Sequence, residues 1–455
     1  MSQTLFRSTG INLSFDRTSF SHHIESLCAE WARALDEHGF DAALVPAGTN
    51  SYYFADDQSP PFRPNPHFAR WVPEPLTEDA VLLVCPGITP KLFFYQPDDF
   101  WYVPPSVPPW TDGVFDVAVY QESENQIEGI VEATRALTNI AYVGPDTELA
   151  NNLVITTEDV GPFIDQLDYG RSFKTEFEII NMKGATEIGV RGHLAAHRAF
   201  SSGASEFDIH MAYLDASKQT ESELPYPNII ALNEHAGTLH YQHYDRATPK
   251  RVHSFLIDAG GKFNGYHSDI TRTYSAMPGD DFDSLINALD EKQQALIGDI
   301  GLGLSYLDLH ERMHHDIAEL LVAFGFVTCS AEAAFDQRIT DAFFPHGLGH
   351  LLGLQTHDVG GRLTARQAEN RSPSDRFPNL RMNRQIEANQ VFTVEPGIYF
   401  IPMLIDSVEN PADINRDRVQ SFVPFGGIRI EDNILATQDG HENLTRPVFD
   451  KALAQ

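Results

Sequence analysis

The chain of 455 residues is 42% apolar and carries a formal net charge of −32, from 64 acidic and 32 basic side chains. Its length exceeds what one hydrophobic core usually supports, which predicts two domains. Its acidity argues against nucleic acid or a membrane as a partner, because both are bound through basic surfaces.

Cysteine usage and the N-terminal segment predict a cytoplasmic protein. Cys28, Cys85 and Cys329 are odd in number and widely spaced, which favours free thiols in a reducing compartment over a disulfide framework. The segment MSQTLFRSTG lacks a basic region followed by an apolar run, and no stretch approaches the ~20 apolar residues of a membrane span.

The first third of the chain alternates helical and extended patterns. Apolar residues at helical spacing predict a helix over 19–38 that ends at Gly39. A second helix is expected near 125–137, together with three buried strands that begin at Asp41, Ala80 and Lys91 and two further strands that begin at Val114 and Asn139. This alternation is typical of an α/β domain, which we assign to residues 1–165.

A proline-rich segment interrupts these strands between Asp56 and Pro75. Its prolines predict a segment without regular structure, while its aromatic residues argue against a solvated linker. The alternatives are an ordered surface loop and a loop that covers a site or a subunit contact, and we favour the second.

The remaining residues, 166–455, are predicted to form an α+β domain. Helices are expected to begin near Thr175 and Ser205, the latter with the capping pattern Ser205…Asp208, and two long amphipathic helices occupy about 282–324. Residues 361–388 are polar and predict a surface excursion. Strands are predicted at NIIALN, VHSFLIDAG, VFTVEPGIYF, VQSFVPF and GGIRIEDNILAT.

The segment Phe343–Gly361, FFPHGLGHLLGLQTHDVGG, combines three histidines with five glycines. Glycine permits close approach of the backbone, and imidazole is both a metal ligand and an acid–base group at neutral pH. The pattern predicts a metal or catalytic site, with a turn beside a buried histidine network as the alternative.

Four acids stand at strand ends or edges, where neutral residues are expected: Asp258, Asp269, Glu395 and Glu431. A buried carboxylate costs several kcal/mol unless it is paired or binds a metal. Arg272 and Arg429 are too few to neutralise all four, so two divalent cations sharing bridging carboxylates are the better explanation.

In this order, Asp258, Asp269, His350, Glu395 and Glu431 resemble the ligand set of the pita-bread metallopeptidases. The local sequences LIDAGG, HSDITRTY, FFPHGLGHLLGLQTHDVGG, TVEPGIYF and GGIRIEDN resemble the Xaa-Pro dipeptidase (prolidase) branch. The segment from Ala55 to Pro75 resembles the bacterial prolidases that include the organophosphorus acid anhydrolases. The resemblance spans nearly the whole chain and implies a pita-bread (creatinase/aminopeptidase-like) catalytic domain over 166–455.

The resemblance implies a role for each matching residue. Asp258 would bind one metal, Asp269 and Glu431 would bridge both, and His350 and Glu395 would bind the second. Glu395 would also carry the proton of a metal-bridging hydroxide, with His357 stabilising developing charge and His346 as a further catalytic imidazole. The implied substrate-binding residues are His240, His346, His357, Arg429 and Tyr226. Thr356 departs from the pattern, because relatives tend to carry an apolar residue there.

The implied activity is metal-dependent hydrolysis of dipeptides with a C-terminal proline, with side activity on organophosphorus triesters and fluoridates. The oxygen-rich ligand set favours two Mn(II) ions per subunit, with Co(II) or Zn(II) as alternatives. Two other interpretations stay open: an aminopeptidase P that acts on longer Xaa-Pro peptides, and a metal-free pita-bread binding protein. The resemblance also implies a homodimer in which Tyr53, Asp56 or Asp57 lines the partner subunit's pocket.

Overall fold

The N-terminal part of the computed structural model is built on a mixed five-stranded sheet. The structure describes residues 15–73, 78–145, 147–153, 155, 160–363 and 374–454. The strand order is β4-β3-β2-β1-β5, with β1 parallel to β5, β3 parallel to β4 and antiparallel pairs between. The strands are β1 (Ala42–Pro46), β2 (Val81–Val84), β3 (Lys91–Tyr95), β4 (Asp116–Tyr120) and β5 (Ile140–Tyr142). The helices are α1 (Arg17–His38), α2 (Pro66–Trp71), α3 (Ser123–Thr134), α4 (Thr147–Asn152) and α5 (Gly161–Arg171).

The predicted α/β order is confirmed. Helix α1 begins where the Asp16 carboxylate accepts from the backbone N–H groups of Thr18 and Ser19, and it ends at Gly39, whose φ is 72°. The domain boundary between residues 165 and 166 stays a proposal, and helix α5 spans it. In the part of the chain that the structure describes, no helix is long and apolar enough to cross a membrane.

The prediction that 56–75 lacks regular structure is wrong for its second half. Residues 66–71 form helix α2, because Pro66 occupies its first turn and the Asn65 side-chain oxygen accepts from the His67 N–H at 3.0 Å. Residues 74 and 75 lie outside the described residues.

The C-terminal part groups its helices beside several small antiparallel sheets, which confirms the α+β prediction. The sheets have the orders β10-β7-β6, β11-β14-β15, β12-β13 and β8-β9. The strands are β6 (Ile229–Leu232), β7 (Ser254–Asp258), β8 (Lys262–Phe263), β9 (Tyr266–His267), β10 (Thr271–Ser275), β11 (Val391–Val394), β12 (Gly397–Tyr399), β13 (Gly427–Arg429), β14 (Asp432–Thr437) and β15 (Gly440–Asn443). The helices are α6 (Glu176–Ser201), α7 (Glu206–Ser217), α8 (Asp281–Gly298), α9 (Tyr306–Ala323), α10 (Ala331–Asp336), α11 (Ile339–Phe343), α12 (Pro402–Asp406), α13 (Arg416–Phe422) and α14 (Arg446–Leu453).

Two predictions in this part are wrong. The expected strand over 419–425 is helix α13 followed by a 3₁₀ turn, because Asn415 caps the helix and Val419 and Phe422 face the core at helical spacing. The expected surface excursion over 361–388 lies only partly at the surface, because Leu380 and Met382 belong to the C-terminal core while Arg381 between them is exposed. Residues 364–373 lie outside the described residues.

One apolar cluster joins the two parts of the chain. Phe20 and Trp110 of the N-terminal part pack with Phe177 of α6, at ring-centroid distances of 5.1 Å from Phe20 to each partner. Tyr266, Leu352 and other residues near the predicted site belong to the same buried cluster. The N-terminal part is therefore packed firmly enough to contribute side chains to the site.

Candidate metal centre

The first two predicted acids stand at the same end of a β-hairpin. Asp258 is the last residue of β7 and pairs in register with Thr271, the first residue of β10. Asp269 precedes that pair by two residues, so the returning strand brings its carboxylate beside that of Asp258. The hydroxyl of Tyr226 lies 2.8 Å from Asp258 Oδ1 and also contacts the Asp269 carboxylate. The predicted hairpin therefore does place the two acids together.

The histidine segment lies along the edge of strand β11. The N–H of Glu395 donates to the Leu348 carbonyl at 2.8 Å, and that of Thr393 donates to the His350 carbonyl at 2.9 Å. A Cβ on Gly349 would lie 2.2 Å from the Thr393 carbonyl oxygen, so only glycine permits this approach. The pairing sets His350 beside Glu395, with 3.6 Å between His350 Nε2 and Glu395 Oε1.

The five predicted ligands converge on one buried cluster. His350 Nε2 lies 3.4 Å from Asp269 Oδ2, and one ligand atom from each of Asp269, His350 and Glu431 lies within 4.8 Å of the others. Since His350 Nδ1 lies 3.0 Å from the Leu351 carbonyl, that nitrogen carries the proton and Nε2 presents a lone pair to the acids. That orientation is what metal ligation requires.

The charge of the cluster fits divalent cations. Arg429 pairs with Asp258 at 2.7 Å, whereas Arg272 is directed to Asp432, outside the cluster. Burial, reinforced by the neighbouring carboxylates, raises the pKa of Glu431 well above its usual value. One arginine and one imidazole cannot balance four buried carboxylates, so the residues present fit a pair of divalent cations.

Metal removal should therefore destabilise the protein more at alkaline than at acidic pH. Without metal, burial raises the pKa of Asp258 to about 6 and that of Glu395 to about 7. Groups whose pKa is raised in the folded state stabilise it below their unfolded pKa, and this contribution is lost as the pH rises through 6 to 7. Metal ions also compete with protons for these carboxylates. Adding Mn(II) to chelator-treated protein should therefore raise the melting temperature by several degrees more near pH 8 than near pH 5.5.

Differential scanning fluorimetry at the two pH values provides the measurement. The Asp269→Ala variant is the control, because it removes a predicted metal ligand and should lose most of the gain in melting temperature at both pH values. An equal metal-induced gain at both pH values in the unmodified protein would contradict the assignment of these carboxylates as ligands.

The three predicted substrate-side imidazoles surround the cluster. The His357 ring lies 4.5 Å from that of His350, centroid to centroid, and is exposed. His346 donates from Nδ1 to the Gly347 carbonyl and accepts at Nε2 from the Tyr399 hydroxyl, both at 2.9 Å. His240 is exposed and lines the cavities on both sides of the cluster. Their roles toward substrate stay predictions.

Arg429 and Tyr226, both predicted to bind substrate, contact the carboxylate cluster directly. The three donating nitrogens of Arg429 reach Asp258, the Tyr399 hydroxyl at 2.7 Å and the Thr271 hydroxyl at 3.2 Å. Because these donors are engaged within the protein, the structure favours a role for Arg429 in holding Asp258. The Tyr399 hydroxyl, which sequence reasoning missed, joins Arg429 to His346.

Two cavities meet at the cluster and share His240, Asp258, Asp269 and His357. The first, which we call the arginine chamber, measures about 380 Å³ and is lined further by His346, Arg362, Asn379, Arg381 and Arg429 among other residues. The second, the interdomain chamber, measures about 630 Å³ and lies between the segment 62–69 and the C-terminal part. Phe62, Arg63 and Pro64 line it, which supports the prediction that this segment covers a site.

Sequence reasoning also missed the basic residues of the arginine chamber. Arg362 donates to the Leu380 carbonyl at 3.2 Å, whereas the Arg381 side chain is exposed to the chamber. Burial, followed by the positive charges of Arg429 and Arg381, lowers the pKa of His240. His240 and Arg381 line the same chamber. These residues belong to a stretch whose polarity suggested only a surface loop.

A buried glutamate holds the loop that carries His240. The Glu206 carboxylate accepts from the N–H groups of Leu232 and Asp245, both at 2.8 Å, from His235 Nδ1 at 2.8 Å and from the Tyr241 hydroxyl at 2.9 Å. Glu206, His235 and Asp245 also lie close enough to hold a cation. Since four donors already satisfy this carboxylate, it is explained as an anchor for residues 232–245.

With this geometry in place, comparison with known proteins identifies the class. The model of metallopeptidase family M24 matches residues 180–438, and the model of the Xaa-Pro dipeptidase N-terminal domain matches residues 18–169. The chain belongs to metallopeptidase family M24, a class of metal-dependent hydrolases, and the predicted family is confirmed. Its carboxylate cluster fits the divalent metal cofactor of that class.

Among the relatives are two bacterial Xaa-Pro dipeptidases. The Xaa-Pro dipeptidase of Xanthomonas campestris pv. campestris is 43% identical over 435 residues, covering 94% of this chain and 97% of the relative. Xaa-Pro dipeptidase 2 of Idiomarina loihiensis is 39% identical over 442 residues, covering 96% of this chain and all of the relative.

Solved structures of aminopeptidase P share the fold. Zinc-substituted aminopeptidase P of Escherichia coli has a TM-score of 0.74 at 22% identity and covers 96% of both chains. The Pseudomonas aeruginosa aminopeptidase PepP has a TM-score of 0.73 at 21% identity, over 97% of this chain and 99% of that one. The predicted combination of an α/β N-terminal domain and a pita-bread catalytic domain is thereby confirmed.

Proposed function

We propose that the chain is an Xaa-Pro dipeptidase that uses two divalent cations, with Mn(II) as the native metal and Co(II) or Zn(II) as alternatives. Asp258, Asp269, His350, Glu395 and Glu431 would hold the cations. The observation that carries the proposal is the arginine chamber, where Arg362, Arg381 and Arg429 line the same space as the carboxylate cluster. The two Xaa-Pro dipeptidase relatives support the same substrate class.

The arginine chamber suits the free carboxylate of a dipeptide. A guanidinium recognises a carboxylate through charge-assisted hydrogen bonds, and Arg381 is exposed to this space while Arg362 lies beside it. A proline bound with its carboxylate at these residues would direct its nitrogen, and thus the scissile bond, toward the cluster. Such an anchor favours substrates that end immediately after proline.

The side chains around the cluster have different roles in the proposed reaction. When bound, the divalent cations supply Lewis acidity that polarises the scissile carbonyl and makes water a better nucleophile. The Glu395 carboxylate accepts the proton that the attacking water loses and gives it to the departing proline nitrogen. His357, exposed beside His350, donates a hydrogen bond to the oxygen on which negative charge develops. Arg429 holds Asp258 in place.

The structural likeness to aminopeptidase P keeps longer peptides as the alternative substrate class. At 21–22% identity that likeness concerns the fold. A longer peptide has no carboxylate immediately after proline, so Arg362 and Arg381 would have no anionic partner there. The basic lining of this chamber therefore favours dipeptides.

A substrate panel tests this proposal. Metal-stripped, Mn(II)-reconstituted protein should cleave Leu-Pro but leave Leu-Pro-Gly and Leu-Leu uncleaved. The Arg381→Gln variant should raise the KM for Leu-Pro at least about tenfold, because it removes a charged hydrogen bond to the substrate carboxylate. Steady-state kinetics by detection of released proline is the measurement.

Arg135→Gln, a change at an exposed arginine at the C-terminal end of helix α3, serves as the matched control and should keep the unmodified KM. Cleavage of Leu-Pro-Gly at a rate comparable to Leu-Pro would move the assignment to aminopeptidase P. Metal binding without cleavage of any peptide would support the metal-containing site while contradicting the dipeptidase proposal. A protein that binds no metal would favour the binding-protein alternative.

The remaining implications of the resemblance stay predictions. Organophosphorus triesters and fluoridates belong in the same panel, since the site would attack a tetrahedral phosphorus centre with the same groups. The homodimer, with Tyr53, Asp56 or Asp57 in the partner subunit's pocket, rests on the resemblance alone. The cytoplasmic location stays a prediction from cysteine usage and the N-terminal segment.

A further inference from the structure

A buried network of ion pairs lies between the two parts of the chain, outside the groups that take part in the proposed reaction. We propose that Arg171 and Lys174, at the junction of helices α5 and α6, are positioning residues that hold Asp358 and thereby place the neighbouring His357 imidazole at the metal cluster. The inference rests on the proposed dipeptidase function, because it assigns residues that act through a side chain of the same site.

Asp358 closes the loop that carries His357. Its backbone N–H donates to the Leu351 carbonyl at 2.9 Å, so the loop 351–358 starts directly after the predicted ligand His350 and ends directly after His357. This closure brings the two imidazole rings to 4.5 Å from each other, centroid to centroid. The place of Asp358 therefore determines where the His357 imidazole stands relative to the cluster.

Two buried cations hold the Asp358 carboxylate. Arg171 Nη2 donates to Oδ1 at 2.6 Å, and Lys174 Nζ donates to Oδ2 at 2.9 Å. The exposed fraction is 3% for the Arg171 side chain and 1% for those of Lys174 and Asp358. Burial alone would raise the pKa of Asp358, but the charges and hydrogen bonds of its partners lower that pKa to about 2. The carboxylate is therefore ionised near neutral pH, with both oxygens engaged.

Arg171 holds the same loop at a second point. Its Nη2 also donates to the Gln355 side-chain oxygen at 3.1 Å, within the loop between the two histidines. A Cβ on Gly353 would lie 2.2 Å from Asp358 Oδ2, so the loop backbone packs directly against the ion pair. The loop and the network therefore form one packed unit, and its His357 lines both chambers.

The network also connects the loop to the N-terminal part. Asp168 Oδ1 lies 3.9 Å from Arg171 Nη1 and 3.1 Å from His67 Nε2, which gives the second cation an anionic partner. His67 lies within the segment 62–69, part of which lines the interdomain chamber. One chain of contacts therefore joins this segment to the loop that carries His357.

Stability alone explains such a network poorly. Removing two charges from water costs about as much free energy as their attraction returns, so well-packed apolar side chains would stabilise this junction equally well. An ion pair between buried side chains does fix geometry, because each partner must stay in one place to keep the other satisfied. A support of this kind is what a catalytic imidazole on a loop requires.

A double-mutant cycle tests whether Arg171 acts through His357. In the Mn(II)-loaded enzyme, Arg171→Gln should lower kcat for Leu-Pro by about tenfold or more, with a smaller change in KM, because a misplaced donor stabilises the transition state poorly. In the His357→Ala background, the same change should lower kcat by less than about twofold. Lys174→Gln should show the same pattern. Metal analysis of each sample ensures that the kcat values refer to loaded enzyme.

The histidine signals of the metal-free protein give a second measurement that does not depend on activity. In proton–carbon correlation spectra of protein labelled at histidine Cε1, the His357 signal is identified by its loss in His357→Ala. This signal should shift in Arg171→Gln and in Lys174→Gln. The signal of His22, an exposed residue of helix α1, should stay unchanged.

Arg418→Gln is the matched control, because Arg418 is a partly buried arginine that pairs with Asp281 at 2.9 Å and lies on α13, whose residues line neither chamber. It should keep kcat and the His357 signal. An equal loss of kcat with and without His357, or an unmoved His357 signal in both variants, would overturn the positioning role, while cleavage of Leu-Pro keeps the dipeptidase proposal standing. An enzyme that cleaves no Xaa-Pro dipeptide would overturn the dipeptidase proposal, and the His357 signal would then decide the positioning of the imidazole by itself.

Discussion

Asp269→Asn should lower kcat/KM for Leu-Pro by at least about a thousandfold, because metal ions contribute several kcal/mol to transition-state stabilisation in such sites. The Asp269 side chain is buried, with Oδ2 at 3.4 Å from His350 Nε2 and a carboxylate oxygen within 4.8 Å of a Glu431 oxygen. An amide replaces one carboxylate oxygen with an N–H₂ group and removes the charge, so the side chain would lose the bridging capacity that we predict for Asp269. The loss should be accompanied by reduced metal content, measured by inductively coupled plasma mass spectrometry.

Asp439→Asn, at an exposed position beside the β14–β15 turn, is the matched control and should retain both activity and metal. The thermal unfolding of the Asp269→Asn variant should respond little to added Mn(II). Full metal content and near-normal turnover in the Asp269→Asn variant would refute the predicted bridging role.

Glu395→Gln should reduce kcat by roughly 10²- to 10⁴-fold, the range that a positioned proton carrier supplies, with a smaller change in KM. The two carboxylate oxygens of Glu395 lie toward two imidazoles, with Oε1 at 3.6 Å from His350 Nε2 and Oε2 at 3.6 Å from His346 Nδ1. Glutamine keeps the shape and one carbonyl oxygen as a ligand, but it cannot take up and return a proton. Steady-state kinetics and metal analysis of the same sample separate the role of Glu395 in metal binding from its role in proton transfer.

The Glu395→Gln enzyme should therefore retain more metal than the Asp269→Asn enzyme while it remains nearly inactive. Glu409→Gln, at an exposed glutamate, is the control for the chemical change and should behave like the unmodified enzyme. A loss of activity that merely follows the loss of metal would assign Glu395 as a ligand without a role in proton transfer.

Much of the fold follows from local patterns in the sequence. The α/β order of the N-terminal part and the long helices of the C-terminal part are recovered, because a helix or strand that buries one face repeats its apolar residues at the corresponding period. The wrong predictions of secondary structure also have local causes. Helix α2 begins at Pro66 within a proline-rich stretch, and α13 places its apolar residues at a spacing that a seven-residue window does not distinguish from a strand.

The sequence by itself determined which residue types form the centre of the site. Asp258, Asp269, Glu395 and Glu431 could be singled out because an ionised acid at a buried strand end requires a partner, and His350 because glycines surround it. Gly349 shows why glycine is needed beside His350: its backbone lies against Thr393, where no Cβ fits. These signals are local in the chain, and the chemistry of each residue was enough to reveal them.

Only the tertiary structure decided what surrounds that centre. Arg381 comes from a polar stretch, Tyr399 ends a short strand with no distinguishing motif, and Arg63 belongs to the N-terminal part, yet all three lie around the cluster or its chambers. The separation in the chain between Arg63 and the C-terminal residues that line the same chamber carries no periodic or spacing signal. Arg63 reaches that chamber because the N-terminal part packs against α6 through Phe20, Trp110 and Phe177, and no local pattern records such packing.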